Sequence, residues 1–205
     1  MTTTTTYPNG QQLISSAITT PAINVLMQVL TCGMIGVNPP NNSRVRVDWQ
    51  TTGQPAVPAP GQDVCYIACQ PFDTEYSRVR DMELSGGGPV VETWTYTRGW
   101  RVAWCAYGPS AVDNLRAVKS ALFIDYFTNQ LSLSNLFPLP DPPEITRVPE
   151  LINAQWFERA DFHVDMYEAV TETIEDAAVS SLEIKVYDGN DPSVTNPVAD
   201  IVVSA

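Results

Sequence analysis

The sequence has little of the chemistry that active sites and nucleic-acid surfaces use. Its 205 residues include one histidine, His163, and only 2 lysines among 11 basic side chains. It contains no G-x-S-x-G turn, no phosphate-binding loop and no dinucleotide fingerprint. It also lacks a run of eighteen apolar residues, so we expect no membrane-spanning helix. These absences argue against nucleophile-elbow hydrolases, nucleotide-binding enzymes and integral membrane proteins.

Cysteine is also scarce, at four residues: Cys32, Cys65, Cys69 and Cys105. Cys65 and Cys69 are four apart in a predicted strand, so they share a face but stand too far apart to bridge readily. A zinc site would need further ligands, and His163 is the only histidine. We therefore expect buried free thiols in a reducing compartment, and neither a metal nor another cofactor.

Negative charge is abundant and unevenly placed. The net charge is −12, and residues 150–205 hold 12 acidic and 2 basic side chains. A surface of that sign repels phosphate backbones, so the sequence predicts no ordinary nucleic-acid binding. It would suit a surface past which nucleic acid slides without sticking, although many soluble proteins are acidic for no such reason.

The N-terminal third begins without charge. Residues 1–10 contain a threonine run followed by proline and glycine, which predicts a flexible arm rather than a secretion signal. Residues 11–35 carry no charged side chain and show helical spacing of apolar residues. Thr19 or Thr20 is suited to cap a helix that has Pro21 in its first turn. We expect one broken helix or two short ones, buried or in a subunit contact.

Alternating apolar residues predict strands in the next part of the chain. Residues 44–50 and 63–70 fit this pattern, and the second strand is apolar on both faces, as expected of a central strand. Residues 90–97 and 100–107 predict a hairpin around Arg98-Gly99. Its expected cross-strand aromatic residues are Trp94, Tyr96, Trp100 and Trp104.

A helix and a proline-rich crossing follow. Ser110 and Asp113 predict a capping box that opens a helix ending near Asn129. Its predicted core stripe comprises Ala111, Leu115, Val118, Leu122 and Tyr126. Residues 137–149 hold five prolines and predict a stiff connection without regular structure.

The last part of the chain predicts a long, acidic hairpin. Its strands span residues 156–167 and 182–187, and residues 198–203 form either a last short strand or a tail that pairs with a neighbouring subunit's edge. In the first strand, the residues expected to point inward are Ala160, Phe162, Val164 and Met166. Those expected to point outward are Asp161, His163, Asp165 and Tyr167.

Few residues are candidates for catalysis or ligand binding. His163 lies mid-strand between Asp161 and Asp165, a setting that favours an exposed histidine over a Ser–His–Asp base. Asp161, Asp165 and Glu168 offer oxygen ligands for a divalent cation, but a strand spreads them apart. The glycines at 86–88 precede a strand rather than a helix, which favours a hinge over a phosphate cradle.

Two other functions remain open from the residues alone. Trp94, Trp100 and Trp104 could form a carbohydrate- or receptor-binding surface, although tryptophans more often hold a hairpin together. Two carboxylates of the last third could act as a glycoside-hydrolase pair if they faced each other across a groove.

Three segments carry a family resemblance: RVRVDWQTTGQPAVP from Arg44, DVCYIACQP from Asp63, and RVPELINAQWFERADFHVDMYEAVTE from Arg147. They resemble the neck and tail-terminator proteins of tailed bacteriophages, and the resemblance runs from about Arg44 to Tyr187. Its strongest parts are Trp49-Gln50 with the Gln54-Pro55 loop, and the Trp156–Arg159–Asp161 opening of the long strand.

The resemblance implies a fold and a role. The fold is α+β, a mostly antiparallel β-sheet with two main helices packed on one face, to which the pattern adds a long protruding hairpin. The domains would be a flexible arm (1–10), one tail-terminator-like domain (11–187) and a C-terminal tail (188–205). Such proteins are not enzymes. They form a six-fold ring at the head–tail junction of the virion, after assembly in the host cytoplasm.

The resemblance also implies partners. The ring would cap the tail tube, dock to head-completion or connector proteins and let DNA pass without specific binding. A ring subunit meets its neighbour through two different patches. We expect the interface to use arginines on one subunit (Arg44, Arg46, Arg78, Arg80) and carboxylates on the next (Asp161, Asp165, Glu168, Glu172). The arm and the insertion Pro71–Gly88 are further candidate partner contacts.

Overall fold

The computed structural model describes residues 2–8, 11–39, 43–48, 59, 61–85, 90–176, 181–186 and 199–204. The helices are α1 (Thr20–Met34), α2 (Glu75–Arg78), α3 (Ala111–Ala121) and α4 (Asp125–Ser132). The strands are β1 (Thr3–Thr6), β2 (Gln12–Ser15), β3 (Val45–Val47), β4 (Val64–Phe72), β5 (Asp81–Ser85), β6 (Val90–Tyr107), β7 (Leu136–Pro138), β8 (Thr146–Arg147), β9 (Glu150–Ile152), β10 (Gln155–Phe157), β11 (Arg159–Asp176), β12 (Ser181–Val186) and β13 (Ala199–Ser204). Three sequence features lie outside the described residues: Trp49-Gln50, the Gln54-Pro55 loop and the glycines at 86–88.

One large sheet organises the chain. Its strand order is β1-β2-β11-β6-β4-β3, and β5 also pairs with β6, while β7 and β8 also pair with β11. The β3–β4 pair is parallel, and the other described pairs of this sheet are antiparallel. Strands β6 and β11 pair over all 18 residues of each strand. The predicted α+β fold with a mostly antiparallel sheet is confirmed.

Two helices pack on one face of this sheet, as predicted. Helices α1 and α3 contact each other and the central strands, and we call the face that they cover the inner face. Trp104 on β6 donates its indole N–H to Thr31 of α1 at 2.9 Å and stacks on Phe162 at 5.6 Å between ring centroids. The core includes Ile23, Met27, Ile67, Val102, Leu115, Val118, Leu122, Val164 and Met166.

The helices cover only part of the sheet. We call the part built from β3, β4, residues 99–107 of β6 and residues 159–167 of β11 the body. The extension consists of β1, β2, β5, residues 90–97 of β6 and residues 169–176 of β11. Strands β1 and β5 of the extension are exposed along their whole length, whereas β4 in the body is mostly buried.

The predicted hairpin at Arg98-Gly99 is wrong, because residues 90–107 form the single strand β6. Gly99 is the register partner of Phe72 on β4. A Cβ added to Gly99 would lie 2.8–2.9 Å from the Phe72 ring, so the glycine permits the ring to lie against the strand. A glycine in a strand can signal such a close approach as well as a turn.

The helix predicted over the start of residues 11–35 is also wrong for its first part. Gln12–Ser15 form strand β2, which pairs with β1 on one side and with β11 on the other. The helix begins at Thr20, where Thr19 accepts a hydrogen bond from the Ala22 N–H and a proline occupies the first turn. Long-range pairing at the edge of β11 therefore overrides helical spacing that was short and lacked its own cap.

The helix predicted from Ser110 to Asn129 is divided into α3 and α4. The Ser110 side chain makes no capping bond, and its backbone N–H is instead held by the Asp63 carboxylate at 2.9 Å. The stripe from Ala111 to Leu122 is buried as predicted. Tyr126 is 64% exposed, because the helix is broken after α3 and α4 does not continue the buried face of α3.

The C-terminal strands pair differently from the predicted long hairpin. Strand β12 pairs with β13 in a separate two-stranded sheet, and β11 pairs with β6 and the short edge strands. The strand predicted over 198–203 is present as β13. The proline-rich crossing, predicted to be irregular, contributes β7 and β8 to the edge of β11. The alternation predicted for β11 is confirmed, with Ala160, Phe162, Val164 and Met166 buried.

We predict that Gly99→Ala lowers the free energy of unfolding by about 1–3 kcal/mol, because the added methyl group clashes with the Phe72 ring. Urea denaturation of the purified chain measures this loss. A second substitution, Phe72→Leu, should cost less in the Gly99→Ala background than in the wild type, since it removes the clashing ring. Additive losses from the two changes would contradict this account of the strand.

Candidate functional site

The residues predicted to form a subunit interface lie in three parts of the structure. Arg44 and Arg46 lie at the start of the edge strand β3, and Arg78 and Arg80 precede β5. The four carboxylates lie along β11, with two on its outer face (Asp161, Asp165) and two on its inner face (Glu168, Glu172).

Three of these arginines form ion pairs within the chain. Arg44 lies 3.6 Å from Asp63, and Arg78 lies 2.6 Å from Asp73. Arg80 lies 3.8 Å from Glu172, a pairing that the sequence analysis assigned to neighbouring subunits. The Arg46 guanidinium carbon stands 6.0 Å from the centroid of the Tyr66 ring.

The outer face of the body carries a row of ion pairs. Asp165 accepts two hydrogen bonds from Arg101 on β6, at 2.7 and 2.8 Å. Arg159 donates two bonds to Asp161 at 2.9 Å and one to Glu150 at 3.0 Å. A shallow cavity of about 390 Å³ lies over this row.

These groups are poorly suited to proton transfer or nucleophilic attack. The hydrogen bonds from Arg101 hold the pKa of Asp165 below its usual value, whereas a general acid needs a raised pKa. Burial raises the pKa of Cys105 to about 12, and a hydrogen bond to Asp161 adds to this, so the thiol stays protonated. The row therefore orders the surface electrostatically, and His163 lines the same cavity.

The described cysteines and acidic residues do not form a metal site. All four thiols are free, and Cys32, Cys65 and Cys69 are buried as predicted, whereas Cys105 is only half-buried. Burial raises the pKa of Cys69 to about 12. Within the described part of the chain, no group of three or more His, Cys, Asp or Glu is arranged to hold a metal ion.

The inner face holds a buried carboxylate clamp where the body meets the extension. Glu168 is fully buried. One of its carboxylate oxygens accepts the backbone N–H of Ile18 at 2.6 Å, and the other accepts the Trp100 indole N–H at 2.7 Å. Arg98 donates two bonds to Glu168, at 2.8 and 2.6 Å, and one to the Ile18 carbonyl at 2.5 Å.

The Glu168 clamp fixes the N-terminal segment to the sheet. Because Glu168 and Arg98 hold the N–H and the carbonyl of Ile18, they fix the main chain between β2 and α1 rather than a side chain. Both oxygens of the buried carboxylate accept hydrogen bonds. A buried ion pair is tolerated when its polar atoms are satisfied in this way. The clamp thereby joins β6, β11 and the linker that precedes α1.

Glu172 is the centre of a second polar cluster on the inner face, within the extension. Glu172 accepts hydrogen bonds from Tyr96 at 2.9 Å and from Ser15 at 3.4 Å. The Arg80 guanidinium carbon lies 4.6 Å from the centroid of the Tyr96 ring and 5.4 Å from that of Trp94. The inner face of the extension is therefore polar and aromatic, whereas that of the body is apolar.

Two of the three tryptophans considered for a sugar-binding surface are not accessible to a ligand. Trp100 and Trp104 are each 1% exposed and lie in the core beneath the helices. Their indole N–H groups bond to Glu168 and Thr31 within the chain. The carbohydrate-binding alternative required a cluster of accessible rings, so the structure argues against it.

The role of Glu168 was not predicted, although the sequence contains a signal for it. The residues at 160, 162, 164, 166 and 170 are all apolar and inward, and Glu168 occupies the same phase of the strand. A carboxylate at a core position needs a buried cation or several donors, since an unpaired buried charge is too costly. Arg98 and Trp100 on the facing strand supply them.

The fold is α+β, and the described surfaces carry many ion pairs within the chain. A family model described as "Phage neck terminator protein" matches residues 22–190, so the chain belongs to the phage neck terminator family. No curated protein matches the chain. The family is a structural one, and it places the protein in the neck of the phage particle, in association with head and tail proteins. In the described residues, no helix is long and apolar enough to span a membrane.

We predict that Glu168→Gln lowers the free energy of unfolding by about 3 kcal/mol, because it leaves Arg98 without its buried counter-charge. Glu172→Gln is a matched control on the same strand and face, with a side chain that is 19% exposed, and should cost less than about 1 kcal/mol. Chemical denaturation of both variants gives the comparison. Similar losses for the two substitutions would show that Glu168 has no special role in the fold.

Proposed function

We propose that the chain is the subunit of a ring that closes the tail at the head–tail junction, caps the tail tube and lets DNA pass. The observation that carries this proposal is the match to the neck terminator family over residues 22–190. The ring would be a homo-oligomer, with the hexamer as the expected form. It would contact the tail tube protein on one side and head-completion or connector proteins on the other.

The charge pairing supports passage of DNA without specific binding. In the part of the chain that the structure describes, nine basic side chains form ion pairs with carboxylates of the same chain. The net charge of −12 leaves acidic groups in excess. Cations neutralised in this way release few counterions from DNA, so phosphate contacts would be weak.

The exposed apolar side chains of the insertion Pro71–Gly88 favour contacts with partner proteins. Its described part contains α2 and β5 and exposes several apolar side chains: Tyr76, Val79, Met82 and Leu84. Exposed apolar groups gathered in one segment are typical of a surface that is covered in an assembly. We infer that this segment contacts a neighbouring subunit or a head or tail partner.

The mass of the purified assembly tests the ring. Light scattering should give a multiple of the 22.5 kDa subunit mass, and negative-stain images should show a ring with a central channel. Phage lysates with the protein depleted should contain heads and tails that fail to join. A chain that remains monomeric at all concentrations, alone and in the particle, would contradict the proposal.

We predict that Arg46→Glu weakens the assembly more than it weakens the fold of the subunit. Arg46 lies on β3, at the edge of the sheet opposite β7 and β8, and the predicted neighbour contacts there are carboxylates. Reversing the charge converts attraction into repulsion at each contact around the ring. Size-exclusion chromatography over a concentration series measures the shift toward free subunits.

Arg116→Glu provides the control for this charge reversal. Arg116 is 70% exposed on α3, and its ion pair among the described residues is with Asp113 of the same helix. It changes the net charge by the same amount, so equal weakening by both variants would point to a general charge effect. An Arg46→Glu variant that elutes as the wild type does would remove Arg46 from the interface.

A further inference from the structure

Among the strands that the structure describes, the extension of the sheet ends in two edges without a further partner, and these edges lie level with each other. Its strands are ordered β1-β2-β11-β6-β5. The registers align one row of residues across all five strands: Thr3, Ser15, Glu172, Trp94 and Met82. The next three rows begin at Thr4, Thr5 and Thr6 and end at Glu83, Leu84 and Ser85. The whole of β1 is therefore level with β5.

The two edge strands run in the same direction. Every neighbouring pair from β1 to β5 is antiparallel, and four such steps restore the original direction. Every residue of both strands is exposed. Among the described strands, β1 pairs with β2, and β5 pairs with β6.

Hydrogen-bond phase identifies the groups that β1 offers at its open edge. The Tyr7 N–H donates to the Gln11 carbonyl at 2.9 Å, so Tyr7 and Gln11 are a hydrogen-bonded pair. Hydrogen-bonded pairs alternate along an antiparallel ladder, so Thr3 and Thr5 bond to β2, whereas Thr4 and Thr6 direct their N–H and carbonyl groups outward. The Ser16 N–H donates to the Thr171 carbonyl of β11. This bond predicts the same alternation of main-chain groups along β2.

The side chains of the two edges favour pairing of β1 with β5. Strand β1 consists of four threonines and has no charge, proline or bulge, the features that protect exposed edges from pairing. Strand β5 carries Asp81 and Glu83, so two β5 edges would repel each other, but an uncharged edge would not be repelled. On β5, Met82 and Leu84 are 56% and 61% exposed and would gain cover from an added strand.

We propose that β1 of one copy pairs in parallel with β5 of the next copy, so that the sheet of the extension continues from subunit to subunit. The inference rests on the proposed ring and names the contact that closes it. The contact joins two different edges of one chain, which is the head-to-tail arrangement that a ring requires. Addition of a strand to an open edge supplies main-chain hydrogen bonds on both sides. Closure of the ring leaves neither edge of the extension open.

A double variant, Thr4→Pro with Thr6→Pro, tests the contact. Proline removes the two outward N–H groups but no bond to β2, and it is tolerated on an edge strand whose N–H faces outward. Each lost N–H removes one main-chain hydrogen bond from the subunit contact, so the loss of both should raise the dissociation constant at least about tenfold. Thr4→Ala with Thr6→Ala keeps both N–H groups and should assemble as the wild type does.

The results separate this contact from the ring itself. A wild-type chain that forms no oligomer overturns the ring and, with it, the contact. If the wild type assembles and the proline variant gives rings of the same size and affinity, the ring stands and the β1–β5 contact is overturned. Circular dichroism melts of the proline variant at a concentration where the wild type is dissociated should match those of the wild type, which shows that the fold is intact.

Cross-linking identifies the strand that β1 contacts. Thr5→Cys chains mixed with Leu84→Cys chains should form disulfides between the two kinds of chain, since both positions lie on the inner face. Thr4→Cys chains are the matched control, because Thr4 faces the opposite side of the sheet and should not cross-link to Leu84→Cys. Disulfides that form only between two Thr5→Cys chains would show pairing of β1 with β1 and would overturn the assignment of β5.

Discussion

The continuous backbone ladder between β6 and β11 is the constraint on which the rest of the structure depends. It joins 18 residue pairs without a turn or a break. The free edge of β6 accepts β4 along the body and β5 along the extension, and the free edge of β11 accepts β8, β7 and β2 in turn. Helices α1 and α3 cover this ladder only over the body. The division of the molecule into a covered body and an uncovered extension therefore follows from two strands that are longer than the helix layer.

Local patterns were sufficient to predict some elements, and long-range contacts decided the others. The alternation from Ala160 to Met166 gave the correct faces of β11, because a half-buried strand must place apolar groups on one side. Thr19 and Pro21 marked the start of α1 for similarly local reasons. Gly99 led to the wrong prediction of a hairpin, because a glycine that makes room for a ring from another strand looks like a turn glycine in the sequence. The segment before α1 misled because the edge of β11, far away in the chain, selects a strand there.

The charged residues show the same limit at the level of the site. The sequence placed Asp161 and Asp165 on an exposed face, and both lie on the outer face of β11. Their partners, Arg159 and Arg101, could not be assigned from the sequence, because pairing depends on register between strands. The sequence analysis therefore gave to neighbouring subunits an arginine, Arg80, that is engaged within the chain. Membership of the neck terminator family supplies the functional setting that these ion pairs alone do not.

The unbroken passage of β6 through Gly99 has a mechanical consequence. A hairpin at this position would have given the molecule a joint, about which the two halves could turn independently. A strand that runs straight through, with Glu168 and Arg98 bonded at the same level, has no joint there. We therefore expect a load applied at the tip of the extension to be carried along the main-chain bonds to the helix layer, with the subunit responding to force as one stiff unit.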